Sequence, residues 1–104
     1  MVKYRVDVSE PAEEDLRDIV RYISGYLSAP MTATRMMETI EKALLQLSDM
    51  PYGFPVVRDD RLAGMGYRHV NVKNYIVFYT VDEPKKVVDV ERILYARRDW
   101  ANLL

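Results

Sequence analysis

Residues 67–100 read YRHVNVKNYIVFYTVDEPKKVVDVERILYARRDW, and the spacing of their apolar positions decides the fold. In YRHVNVK, Arg68, Val70 and Val72 alternate with Tyr67, His69, Asn71 and Lys73, the period of two of a half-buried strand. YIVFYTV is apolar at successive positions, as a strand covered on both faces must be. KVVDVERIL alternates again after the turn signal DEPKK. A tight connection near Lys73–Asn74 and the turn Asp82–Lys86 join the three into an antiparallel meander.

Upstream, KYRVDV puts Tyr4, Val6 and Val8 on one side of a short strand that must pair with something later. Ser9 then offers a cap, and Glu10, Glu13, Glu14 and Asp15 suit the positive end of a helix dipole. Ala12, Leu16, Ile19, Val20, Ile23 and Leu27 form an apolar stripe, so a helix runs from about residue 10 to about residue 27. A second stripe, Ala33, Met36, Met37, Ile40, Ala43, Leu44 and Leu47, follows the potential cap Thr32 and ends before Pro51. Neither helix can hide its stripe alone, so the two pack as an antiparallel hairpin. The expected fold is α+β, in the order βααβββ, with the N-terminal strand and the meander completing a four-stranded sheet in one domain, residues 1–104. The connection 51–66 is longer than the usual loop of about 4–6 residues, which makes it a candidate binding loop, with Val56 and Val57 as anchors.

The chain has 104 residues, no cysteine and a formal net charge of −1. Disulfides and thiolate metal sites are excluded, and one histidine cannot supply a nitrogen and sulfur ligand set, so no metal and no cofactor is expected. The N-terminus lacks the apolar run of a signal or a membrane span, which makes the cytoplasm the expected location. Residues 1–67 hold eight basic and eleven acidic groups, residues 68–104 seven basic and five acidic. An anion, if bound, is expected at the C-terminal third.

Alternation in the last strand places Val88, Val90, Arg92 and Leu94 on one face, and in the first strand of the meander Arg68 shares a face with Val70 and Val72. If the faces coincide, two guanidinium groups converge beside the core, suited to phosphate or carboxylate. The plainer reading is that Arg68 and Arg92 pair with internal acids such as Asp89, Glu91 or Asp99, or reach out to water. His69 can carry a proton near neutral pH, but no carboxylate stands at a spacing that would orient it. Asp59 and Asp60 are weak candidates for a hard cation, and Met31, Met36 and Met37 read as core filler. Tyr67, Tyr75, Tyr79 and Tyr95 lie near the arginines, and Trp100 is the aromatic expected to face a partner.

The stretches YRHV, NYIVFYTVDE and VDVERILYARRDW, with VSEPAEEDLRDIVRYI in the first helix, resemble the RelE/ParE superfamily of bacterial toxins over nearly the whole chain. The resemblance implies the toxin of a type II toxin–antitoxin pair, with plasmid stabilization and growth inhibition as its setting and a small antitoxin as its partner. RelE-like members are ribosome-dependent mRNA endonucleases; ParE-like members block DNA gyrase. Here Ile76 follows Tyr75 where a RelE-like enzyme has an arginine, and Val70 stands where a second basic residue is expected after Arg68. Those departures favour the ParE-like branch, with DNA gyrase as target and Arg97, Arg98, Trp100 and Tyr67 as partner-binding residues. The alternatives are a metal-independent, ribosome-dependent endoribonuclease using Arg68, Arg92 and Arg98 around the phosphate, with Tyr95 or His69 as proton carrier, and an inactive α+β binding module. Without its antitoxin the chain is expected to self-associate through an exposed apolar groove.

Overall fold

A computed structural model describes residues 3–104. Strand β1 (Arg5–Val8) leads into helix α1 (Glu10–Arg21), which continues as a π-helical turn over Tyr22–Tyr26. Helix α2 (Pro30–Asp49) returns antiparallel, and a short helix α3 (Asp60–Gly64) lies in the following connection. Strands β2 (Arg68–Val72), β3 (Tyr75–Asp82) and β4 (Val87–Tyr95) form the meander, and a 3-10 turn over Trp100–Asn102 ends the chain's regular structure. The sheet order is β1-β4-β3-β2, with β1 parallel to β4 and the other pairs antiparallel.

The expected architecture is the observed one, and local chemistry explains its boundaries. The Ser9 hydroxyl accepts the Ala12 N–H at 3.1 Å and donates to the Glu91 carbonyl at 2.8 Å, so one side chain caps α1 and fastens it to β4. Thr32 caps nothing: α2 begins two residues earlier, where Pro30 occupies the first turn without needing an N–H partner. In the long connection, the Asp59 carboxylate accepts the Leu62 N–H at 3.0 Å and starts α3, so it serves as a helix cap and Leu62 is buried beneath it. Met36 packs against the main core, but Met31 is 70% exposed, off the stripe of Ala33, Ile40 and Leu47.

Both faces of the sheet are covered. The hairpin packs Ala12, Ile19, Ile23, Ile40 and Leu47 against Val70, Val77, Tyr79, Val88, Val90 and Ile93. On the other face Phe78 and Leu94 carry a smaller core with Val57, Leu62, Trp100 and Leu103. This second core explains why β3 is apolar on both sides. The sheet edges are also managed: Val57 donates to the Tyr67 carbonyl and His69 to the Pro55 carbonyl, which lays the connection along β2. At β1, Tyr4 exchanges hydrogen bonds with Ser48 at the end of α2.

One irregularity overturns a simple expectation. Tyr79 pairs with Val90 but Phe78 pairs with Arg92, so Glu91 is an extra residue in β4 and the alternation changes phase there. Val88, Val90 and Ile93 therefore share the helix-covered face, whereas Leu94 belongs to the second core. Arg92, opposite Phe78, is not on the face of Val88 and Val90.

Candidate functional site: an aromatic cleft at one end of the sheet

The bulge decides what the two central arginines can do. Arg68 sits opposite Tyr79 on the helix-covered face, while Arg92 starts from the other face, so the guanidinium groups do not converge. Arg68 donates to the Phe54 carbonyl at 2.7 Å and stacks over the Tyr52 ring at 5.1 Å. It fixes the connection after α2, which Tyr79 also holds by donating its hydroxyl to the Pro51 carbonyl at 2.6 Å. Burial pushes the Tyr79 phenol up to about 12.

Arg92 turns around the edge of β4, just past the point where β1 stops at Val8. Its Nε and Nη2 donate to the Asp15 carboxylate at 2.8 and 2.9 Å, and its Nη1 donates to the Leu103 carbonyl at 3.1 Å. Asp15 also accepts the Ile93 N–H at 2.9 Å, so it replaces the missing neighbouring strand for that amide. The hydrogen bonds to Asp15 hold the Arg92 guanidinium above its ordinary pKa. This clamp joins α1, β4 and the C-terminal tail. The acids expected as partners, Asp89, Glu91 and Asp99, are not the ones used.

Asp15 is the residue that sequence reasoning missed. Its signal was present: it follows Ala12 by three and precedes Ile19 by four, which places a carboxylate on the buried stripe. A buried acid on such a stripe needs a cation, and the one in reach is Arg92.

Beyond the clamp, α1, the π-helical turn and the start of α2 stand away from the ends of β3 and β4, leaving a cleft of about 620 Å³. Ile19, Ile23 and Met36 supply an apolar floor, and Tyr22, Tyr75 and Tyr95 an aromatic wall. Tyr75 and Tyr95 meet across the strands with ring centroids 5.8 Å apart, and Tyr22 stacks on the exposed Tyr26 at 5.3 Å. Asp18 and Arg98 stand at the rim. Of the residues singled out from sequence, the structure brings Tyr75, Tyr95 and Arg98 to this cleft, with Met36 on its floor. Arg97 is exposed beside it in the chain. Trp100 instead packs on Phe78 at 5.1 Å, and Tyr67 is half-buried against the same second core. His69, opposite Phe78, lies on the tail-covered face away from the cleft. Among the described residues, no group of three or more His, Asp or Glu side chains is placed to hold a metal ion.

The opposite end of the sheet is closed by a polar network. Tyr4 and Tyr52 donate to Glu83 at 2.8 and 2.7 Å, and Lys86 joins the same carboxylate while lying 5.3 Å over the Tyr4 ring. Hydrogen bonds from Lys86, Tyr52 and Tyr4 hold Glu83 down to about 2, and the bond to Glu83 pushes Tyr52 up to about 12.

Four strands beside a helical hairpin, in this order, are consistent with the RelE/ParE fold. A family model described as the ParE toxin of the type II toxin–antitoxin system parDE matches residues 6–100. The chain belongs to the ParE toxin family and is the toxin of a type II toxin–antitoxin system. Among solved structures it is similar to a chromosomal ParDE system of P. aeruginosa, at 15% identity and a TM-score of 0.74 over 91% of this chain and 98% of that one. It is also similar to the RelBE2 toxin–antitoxin complex of Mycobacterium tuberculosis, at 22% identity and a TM-score of 0.63 over 90% and 99%. A mutant of the E. coli toxin RelE in the free state matches at 19% identity and a TM-score of 0.66 over 98% and 93%. No curated protein matches the chain. Among the described residues, no helix is long and apolar enough to cross a membrane.

Proposed function

We propose that this toxin inhibits growth by binding DNA gyrase in the cytoplasm, that it serves plasmid stabilization as part of a toxin–antitoxin pair, and that a cognate antitoxin neutralises it by direct contact. The observation that carries the reading is the commitment of Arg68 and Arg92 to opposite faces and to internal acceptors. Metal-free cleavage of RNA needs a base, an acid and a charge stabiliser around one phosphate. With both arginines spent on the fold, the cations left for that work are at the rim. A protein target asks for less: a rigid surface with aromatic anchors and a few exposed cations. The test is a supercoiling assay with purified gyrase. The chain is expected to inhibit supercoiling, and the pure antitoxin is expected to relieve the block; full supercoiling at a large excess of folded toxin would overturn the gyrase reading.

One observation favours a second reading, since Tyr95 and Arg98 share the cleft and could serve a ribosome-dependent endoribonuclease as proton carrier and phosphate ligand. Primer extension on cellular mRNA after induction separates the two. Codon-phased cuts that vanish in Arg98→Ala support the ribonuclease, and intact transcripts with an induced DNA-damage response support gyrase.

A further inference from the structure

Residues 22–34 carry no charged side chain, in a chain that is 30% charged. They make the turn of the helical hairpin and the first residues of α2, and four of them, Tyr22, Tyr26, Leu27 and Met31, are at least half exposed. Surface left in water contributes nothing to the core, so the fold does not account for these residue types. Depletion of charge together with tyrosine and methionine is the composition of the buried centre of a protein–protein interface. The turn is also held in one shape. The Leu27 N–H donates to the Tyr22 carbonyl five residues back at 2.9 Å, and the Tyr26 ring stacks on Tyr22 with the planes 15° apart. Ser28 ends the turn at φ 51°, a conformation that glycine usually supplies. Tyr26, 80% exposed, is therefore an aromatic anchor fixed before a partner arrives, which lowers the ordering cost of binding.

The charges resume around the turn with one sign. Arg17 and Arg21 stand exposed on α1 and Arg35 on α2, and no acid occurs in the chain between Asp18 and Glu38. Arg21 reaches Asp18 at 3.4 Å, while Arg17 and Arg35 are in no ion pair among the described residues. A second copy of this chain would bring the same arginines to the contact and be repelled. We infer that the hairpin turn is the surface with which this toxin grips its protein target, DNA gyrase, by seating Tyr26 and Met31 in an apolar pocket with an acidic rim. The inference rests on the gyrase reading. It places the grip outside the aromatic cleft, since neither Tyr26 nor Met31 lines that cavity. The acidic rim pairs with Arg17 and Arg35 at the border of the contact, where charges steer the approach, and the uncharged centre is closed to water.

The test uses the purified full chain with purified gyrase and, separately, with the product of the adjacent antitoxin reading frame. Tyr22 and Leu27 also line the cleft, so the informative changes are Tyr26→Ser, Met31→Asp and Arg35→Glu, all at exposed positions, with urea denaturation as the folding control. Tyr26→Ser and Met31→Asp are each expected to raise the toxin concentration that halves supercoiling by about tenfold or more, with antitoxin affinity unchanged. Arg35→Glu is expected to slow association with immobilised gyrase, as added salt does for the native chain. Native inhibition that all three variants reproduce overturns the inference and leaves the gyrase reading standing. A native chain that neither binds nor inhibits gyrase overturns both. Equal losses of gyrase and antitoxin affinity in the folded variants assign the turn to the antitoxin and overturn the inference. A native mass that doubles with concentration, but not in Tyr26→Ser, assigns it to a second copy and overturns it as well.

Discussion

At one end of the sheet Tyr4 and Tyr52 spend their hydroxyls on Glu83, with Lys86 and Arg68 over their rings. At the other end Tyr75 and Tyr95 lie against each other, and among the described residues neither hydroxyl has a hydrogen-bond partner. Residue types are nearly the same, and the difference is a carboxylate. Where an acid collects the phenols and cations, three distant pieces of chain are drawn together and the surface closes. Where the acid is used elsewhere, as Asp15 is by Arg92, the aromatic groups are left to line a cleft. Tyrosine and arginine content alone therefore says little about function until the acids have been located.

The Arg92–Asp15 clamp stands between the two ends, and breaking it should have the largest effect. Arg92→Ala leaves a buried carboxylate with one backbone partner, and loss of one member of a buried pair costs about 3–5 kcal/mol. Urea denaturation is expected to show a loss of at least about 3 kcal/mol, with a similar loss for Asp15→Ala. The double variant should lose clearly less than the sum, because the second change removes the stranded charge left by the first. A stable, folded Arg92→Ala protein that had lost only toxicity would instead return Arg92 to a functional role. Assays of that variant need a folding control for this reason.

Next in size are changes that separate the ends by function. Tyr95→Ala is expected to lower antitoxin affinity about tenfold while shifting stability by less than about 1 kcal/mol, since its ring is partly exposed and its hydroxyl is free. Tyr52→Phe should do the reverse, moving the urea midpoint down and leaving affinity unchanged. If Tyr52→Phe weakens the complex as much as Tyr95→Ala, the contrast between a closed end and a binding end fails.

Most of this fold could be read from alternation and stripes, because each strand and helix had to hide one face. The helical hairpin, the meander and the two turns all follow from that requirement. The helix α3 and the tail turn were harder, since short elements carry no periodicity and declare themselves through a cap such as Asp59 or a packed ring such as Trp100. The site was less legible than the fold. Alternation is a rule of phase, and the single extra residue Glu91 reversed it for everything that follows in β4. That reversal sent Arg92 away from Arg68, and no local sequence signal marks it. Tyr75, Tyr95 and Arg98 were named from sequence, but only the third dimension puts them in one cleft with Tyr22.

The pH dependence of stability tests the closed end directly. Glu83 titrates at about 2 in the fold against an ordinary 4.5, so its contribution is complete above about pH 5 and is lost as pH falls toward 2. Glu83→Gln should therefore narrow the stability gap to the native protein steadily over that window. The group is exposed, so added salt should shrink the effect. At alkaline pH the sign reverses: Tyr52 and Tyr79, both at about 12, favour the fold while protonated, and stability should decline as pH rises from 10 to 12. Tyrosinate absorbance should show a late-titrating class that loses one member in Tyr52→Phe. A single class near 10 would mean that the network does not persist in solution.

The smallest effect sharpens the comparison most finely, because the two hairpin turns share a backbone strain. Lys73 at the cleft end has φ 56° and Lys86 at the closed end has φ 54°, both in the left-handed region that disfavours a β-carbon. Glycine relieves the strain at either place but loosens the unfolded chain, so the net gain at an otherwise idle position is under about 1 kcal/mol. Lys73 is such a position: among the described residues its ammonium is in no ion pair, and Lys73→Gly should be slightly stabilising. Lys86 is not, because its ammonium binds Glu83 and covers the Tyr4 ring. Lys86→Gly gives up those contacts while relieving the same strain, and it should come out destabilising. Opposite signs for the same substitution at the same φ would locate the difference between the two ends in the carboxylate; equal gains at both turns would show that the Glu83 network contributes nothing measurable.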